Sequence, residues 1–395
     1  MRPSLCRVTL PDGIDGASFL SEYWQRRPLL MRAALPRTCF PLAAEELAGL
    51  ACEAEFESRL LIERGPDDWE LRHGPFDEAT FAALPERRWT LLVQDVDKFV
   101  PEVADLIDAF DFVPLWRIDD VMISYAADQG GVGPHIDAYD VFLMQAQGRR
   151  RWRLSYASYH DDDLVPGIDQ RILARFQTDD EWILEPGDIL YLPAGVAHWG
   201  IAEGPCMTYS LGFRAPSQQE LAGDWFQHLV SLAGGQRLQD PTDLRIDDRG
   251  RLTEGTYAQA ARVLRALPSC DSGEFMLWLG RYLTEPKPQF QIEPPDARYR
   301  SSELEAMLAR NEDLMRHPFA RLCWTTFGDD QVVLYCQGSS HLLPKPLGGL
   351  VQYLAGHRRL DATDLVAHCA ASSAASDLLL ELINDGILEP ESTLP

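Results

Sequence analysis

The chain is poor in several things that would define whole classes of protein. No run of about eighteen consecutive apolar residues occurs in its 395 residues, which argues against a membrane-spanning helix. The opening segment MRPSLCRVTLPDGID has no apolar core long enough for a signal peptide. The eight cysteines, at 6, 39, 52, 206, 270, 323, 336 and 369, contain no CxxC pair and no zinc-like spacing. They read as reduced thiols of a cytosolic protein, so a cytoplasmic location is expected. Basic residues are scarce, 36 against 61 acidic ones, for a net charge of −25. That balance disfavours direct binding to nucleic acid or to an anionic membrane and favours a basic protein partner. There is no internal repeat and no low-complexity linker, and the length suggests roughly two to three domains.

What is present is concentrated in two stretches. The first, QGGVGPHIDAYDVFLMQAQGRRRWRL, runs from Gln129 to Leu154. Glycines at 130, 131 and 133 let the backbone turn sharply, and Pro134 fixes the approach to a strand. Residues i and i+2 of a strand face the same way, so His135 and Asp137 present an imidazole and a carboxylate side by side. The second stretch, EPGDILYLPAGVAHWG, has an apolar strand from Ile189 to Leu192, a Pro193-Ala194-Gly195 turn and then His198 at the start of a returning strand. Two histidines and one carboxylate form a facial triad. It leaves three positions of an octahedral ion open, which suits non-haem Fe(II) chemistry. An HxD pair alone is common by chance; here the third ligand and the flanking segments carry the reading.

The run Arg149-Arg150-Arg151-Trp152-Arg153-Leu154 divides by period-2 alternation. Arg150, Trp152 and Leu154 share the more apolar face, which is expected to point inward, while Arg149, Arg151 and Arg153 point out. A buried guanidinium needs an anion, and the distal carboxylate of 2-oxoglutarate would supply one for Arg150.

Along the chain, Asp15 or Ser18 can cap a helix over Phe19 to Gln25, a strand covers Arg26 to Arg32, and Ala43 to Cys52 reads as a second helix. Ser58 to Glu63 and Trp69 to Arg72 make a hairpin. Trp89 to Val93 is a strand, Pro101 to Phe110 a helix, and Ile118 to Ala126 the strand that enters the first stretch. Many short strands with distant ligands converging imply a closed antiparallel barrel of the jelly-roll or cupin kind. After Pro216 helical periodicity takes over, with helices at Gln218 to Ala233, Tyr257 to Leu267 and Gly273 to Leu283. From about 300 the order is a helix (Ser302 to Arg310), two strands (Leu322 to Thr326 and Val332 to Cys336) and three helices, an order like that of a winged helix. Its last helix, Ala375 to Asp385, is acidic and leucine-rich and makes a poor DNA-reading element.

The runs GGVGPHIDAYDVF, GRRRWR, PGDILYLPAGVAHWG and YSLGFRAP, with the earlier FLSEYWQRRPLLMR and WTLLVQDVDKFVPEV, resemble the bacterial ribosomal oxygenases of the JmjC group. The resemblance covers at least residues 15 to 216. It implies an α+β protein in three parts: a JmjC-type double-stranded β-helix (cupin, jelly-roll) barrel over 1–216, a helical dimerisation segment over 217–296 and a winged-helix-like domain over 297–395. It also implies a 2-oxoglutarate-dependent arginine 3-hydroxylase that acts on a large-subunit ribosomal protein. The Fe(II) ligands fall on His135, Asp137 and His198, and the 2-oxoglutarate anchor on Arg150, with Ser210 as a second donor to the same carboxylate. Asp128, just before the glycines, is the candidate counter-charge for the substrate guanidinium. The alternatives are a hydroxylase or demethylase of another residue, such as histidine or methyl-lysine, and a non-enzymatic cupin sensor joined to a winged helix.

Overall fold

The computed structural model describes residues 6–65, 68–167, 171–242 and 244–393. The chain divides into two compact units, Met1–Ala215 and Pro216–Pro395.

The first unit is built on ten strands: β1 (Leu29–Met31), β2 (Ser58–Gly65), β3 (Asp68–His73), β4 (Trp89–Val93), β5 (Ile118–Ala126), β6 (His135–Ile136), β7 (Val141–Ser155), β8 (Asp180–Leu184), β9 (Ile189–Leu192) and β10 (Ala197–Phe213). Every pairing is antiparallel, in the order β1-β9-β7-β10-β5-β4-β2-β3, with β6 added to β10 and β8 to β7. Two long strands belong to two curved layers at once. The first part of β7 pairs with β9 and the later part of β10; its second part, from Arg149, pairs with β8 and the start of β10. The change occurs opposite Gly148, where the register slips between Glu203 and Met207. Gly148 has φ +62° and lies against the carbonyl of Pro205, so a side chain fits neither its backbone nor its surroundings. Enclosure comes from this bend in two shared strands; among the described residues no ring of unbroken pairing closes the barrel.

Under the larger layer the N-terminal helix, Gly16–Glu22, packs Phe19 edge-on to Phe112 and Tyr191, with ring centroids 5.1 Å apart in both pairs. Asp15 and Ser18 both contribute to its cap: Asp15 accepts from the Ser18 backbone, and the Ser18 hydroxyl lies 2.8 Å from Asp15 N. The helix stops three residues short of Gln25, which has φ +58°. Two other readings need correction. The single helix over Pro101 to Phe110 is a turn of α-helix, Pro101–Ala104, followed by a 3-10 turn at Ile107–Ala109, both pressed into the core. Cys6 and Cys39 are joined in a disulfide, with Cα atoms 6.0 Å apart, rather than both being reduced; their 33-residue separation gives no sign of it in the sequence. The other six cysteines are free.

The second unit has two cores. One gathers Trp225, Leu229 and Trp278 from the helices Gln218–Leu232 and Gly273–Thr284. The other lies among the helices Ser301–Ala309, Gly348–Gly356, Ala362–Ala371 and Ser373–Asn384. A third strand, Ser339–Pro344, joins the two expected ones, and a further small sheet pairs Leu314–Arg316 with Arg359–Leu360 and Leu388–Pro390. The last helix spends its leucines inward: Leu378, Leu379, Leu382 and Ile383 are buried. No helix among the described residues is long and apolar enough to cross a membrane.

Candidate metal and anion site

His135 and His198 are direct cross-strand partners in the β6–β10 pair, which brings two residues 63 apart in sequence onto one patch of sheet. Asp137 follows at the same face. Its backbone carbonyl accepts from Gly195 N at 2.9 Å, so the turn that delivers His198 is tied to the strand that delivers the carboxylate. The ring centroids of the two histidines are 4.2 Å apart. Asp137 Oδ1 lies 3.7 Å from His135 Nε2 and Oδ2 lies 3.6 Å from His198 Nε2. One ligand atom from each of the three residues lies within 4.8 Å of the others, and they form the one such metal-competent cluster among the described residues.

The imidazoles are held in one tautomer by their own turns. His135 Nδ1 is 3.0 Å from Gly133 O, and His198 Nδ1 is 3.0 Å from Val196 O. A carbonyl accepts only, so Nδ1 carries the proton and Nε2 keeps its lone pair for a metal. Burial, with His135 beside it, holds His198 down to about 4, so it is neutral and ready to ligate at physiological pH.

One cavity is lined by both this triad and Arg150. The alternation read in the arginine run holds: Arg150, Trp152 and Leu154 are buried, while Arg149, Arg151 and Arg153 pair with Glu203 and Glu181 on the outside. Arg150 is 3% exposed and has no carboxylate within ion-pair distance among the described residues. Its Nη1 donates to Ser124 Oγ at 3.1 Å and to Thr208 Oγ1 at 3.2 Å. Its Nε is buried without an acceptor, and desolvation pushes the guanidinium below its ordinary value. Neutral hydroxyls aim the cation without cancelling its charge, which leaves it to an anion in the cavity. Gly200 makes the arrangement possible: a Cβ there would stand 2.7 Å from the Trp152 ring and 2.8 Å from Arg150 Nε.

Ser210 is buried and lines the same cavity. Asp128 does not. Its carboxylate accepts from Arg87 at 3.0 Å and from the Gly204 N–H at 2.9 Å, on the outer loop, because the chain doubles back before the glycines. Besides Asp137, the aspartate that lines the cavity is Asp120 of β5, with Oδ2 accepting from Gln94 at 2.6 Å. Sequence reasoning passed over Asp120, Ser124, Tyr139 and Thr208. The signal was available, since Asp120-Met122-Ser124 and Thr208-Ser210-Gly212 each line the cavity at period 2.

Fold and site together define a cupin-like barrel with a His-Asp-His cluster that could hold a metal ion and a buried arginine on the same cavity. The model of the JmjC domain matches residues 105–221, and that of the ROXA-like winged helix matches residues 270–389. The chain is 35% identical over 305 residues to the ribosomal protein uL16 3-hydroxylase of Escherichia coli, spanning 77% of this chain and 80% of that one. It is 38% identical over 242 residues to a probable ribosomal oxygenase of Haemophilus influenzae, covering 60% and 57% of the two chains. The X-ray structure of E. coli ycfD superposes with a TM-score of 0.83 at 31% identity, over 98% of this chain and 100% of that one. The same ribosomal oxygenase in complex with cobalt and 2-oxoglutarate gives 0.79 at 32% identity, over 98% and 99%. The chain belongs to the JmjC ribosomal oxygenases.

Proposed function

We propose that the chain is an Fe(II)- and 2-oxoglutarate-dependent oxygenase that hydroxylates C3 of an arginine side chain in a large-subunit ribosomal protein. The observation that carries this reading is the buried, carboxylate-free Arg150 facing the His135-Asp137-His198 triad across one cavity. Two imidazoles and a carboxylate fit Fe(II) and would leave positions open for a keto acid and dioxygen. When bound, that centre couples oxidative decarboxylation of 2-oxoglutarate, to succinate and carbon dioxide, to transfer of one oxygen atom of dioxygen into a C–H bond.

The chain's own residues aim that chemistry. Arg150 takes the distal carboxylate, and Ser210 stands as a second donor in the same cavity. Asp120 replaces Asp128 as the counter-charge for the substrate guanidinium, held in place by Gln94 and by the Asp95 N–H. Burial of His198 and Arg150 holds both in low-dielectric surroundings, where their interactions are stronger than in water. The acidic chain draws in a basic ribosomal protein, without direct nucleic-acid contact, in the cytoplasm. The helical part over 217–296 pairs two subunits through Phe226, Val230, Tyr257 and Leu264, which are exposed in this single chain.

The test is tandem mass spectrometry of an arginine-containing fragment of the ribosomal protein after incubation with protein, Fe(II) and 2-oxoglutarate. One added oxygen on the arginine β-carbon is expected, and none when that arginine is lysine, which lacks the planar fork. Oxygen on a histidine instead would move the reading to the histidyl hydroxylases.

A further inference from the structure

Behind the cavity lining a polar chain begins at Gln145 and ends on Thr208 and Arg150, which line the site. Gln145 of β7 is fully buried and Thr208 of β10 is 1% exposed. Gln145 Nε2 donates to the Gln147 carbonyl at 2.8 Å, and Gln145 Oε1 accepts from Thr208 Oγ1 at 3.1 Å. Thr208 Oγ1 in turn accepts from Arg150 Nη1 at 3.2 Å. Donor and acceptor capacities allow one arrangement. The Gln147 carbonyl only accepts, so the amide nitrogen must face it and the amide oxygen must face Thr208. The single hydroxyl proton of Thr208 cannot point at Arg150, which only donates, and so goes to Gln145. A lone pair is thereby presented to the guanidinium.

The backbone of Gln145 is fixed as well. Its N–H donates to Asp188 O at 2.9 Å, and its carbonyl accepts from Gly187 N at 2.8 Å. The Pro186-Gly187-Asp188 turn of the second stretch therefore pins the start of the relay.

Resting on the reading of Arg150 as the 2-oxoglutarate anchor, we propose that Gln145 is a positioning residue for co-substrate binding: through Thr208 it fixes the direction in which Arg150 meets the distal carboxylate. An apolar residue at 145 frees the Thr208 rotor and leaves a buried hydroxyl proton without an acceptor. A glutamate there keeps an acceptor for the hydroxyl but sets a negative charge one hydroxyl away from Arg150, where it competes with the ligand for the cation.

The experiment compares two dicarboxylates on the manganese-loaded full-length protein by calorimetry without oxygen. 2-Oxoglutarate reaches both the metal and Arg150; oxalate chelates the metal and has no distal carboxylate. Wild type must bind 2-oxoglutarate, and Arg150→Ala must weaken it while sparing oxalate; failure there overturns the anchor reading itself. Given that, Gln145→Leu and Thr208→Val are expected to weaken 2-oxoglutarate about 5- to 10-fold, the scale of one net hydrogen bond, with oxalate changed less than about twofold. Gln145→Glu is expected to weaken it more than Gln145→Leu does, and Thr208→Ser, which keeps the hydroxyl, to bind like wild type. Equal losses for both dicarboxylates would reduce Gln145 to a packing role, and unchanged 2-oxoglutarate affinity in Gln145→Leu and Gln145→Glu would overturn the relay.

Discussion

The two ends of the cavity are assembled in different ways. At the metal end each histidine is oriented by a carbonyl two residues before it in its own chain segment, Gly133 for His135 and Val196 for His198. At the anion end Arg150 is oriented by hydroxyls 26 and 58 residues away, on β5 and β10. A group aimed by its own turn keeps its direction when distant strands shift. One aimed from neighbouring strands depends on their register. The metal end should therefore fail by loss of a ligand atom, and the anion end by small displacements of the sheet.

Substitutions at the two ends test that contrast. His135→Ala or Asp137→Ala should abolish turnover and lower metal affinity more than about 100-fold, while circular dichroism and melting of the metal-free protein change little. Metal titration is the readout, and turnover retained in either variant would remove that residue from the centre. Arg150→Ala should cost 2-oxoglutarate binding about 2–5 kcal/mol and leave metal affinity near wild type. Gly200→Ala sharpens the contrast, because the added methyl meets the Trp152 ring and Arg150 Nε. It should weaken 2-oxoglutarate about tenfold by forcing the guanidinium aside, and an equal loss of metal affinity would show that the two ends move as one.

Two smaller effects follow. Because burial holds His198 at about 4, below the ordinary histidine value of about 6.5, the unfolded chain takes up the proton first. The metal-free protein should lose stability as pH falls from about 6.5 towards 4, and His198→Gln should flatten that slope in a melting series. Arg149→Ala and Arg151→Ala remove outer ion pairs with Glu203, Glu185 and Glu181. They should change the half-maximal 2-oxoglutarate concentration less than about twofold.

Legibility followed the same division. The triad and the inward Arg150 could be read because period-2 alternation and a Pro-Ala-Gly turn operate within a few residues. Thr208, Ser124 and Gln145 were missed because their roles depend on which strands lie next to β7. Asp128 was misplaced for a related reason: nearness in sequence to the metal strand says nothing about the direction of a loop, and this one caps the Gly204 turn. The helix expected from Pro101 to Phe110 has a capable composition, yet packing of Val103, Ile107 and Ala109 into the core breaks it into two short turns. The disulfide between Cys6 and Cys39 depends on a spatial approach that no spacing rule covers.

Taken alone, the sequence determined the residue types of the His-Asp-His cluster, the inward face of β7, the change from strands to helices after Pro216 and the acidic net charge, because each is a property of composition or of neighbouring residues and their periodicity. The tertiary structure decided how the two layers share β7 and β10, which aspartate reaches the cavity and what holds Arg150. Those depend on strand register and on the bend at Gly148, where residues far apart in the chain become neighbours and a one-residue slip would turn Thr208 away from the guanidinium.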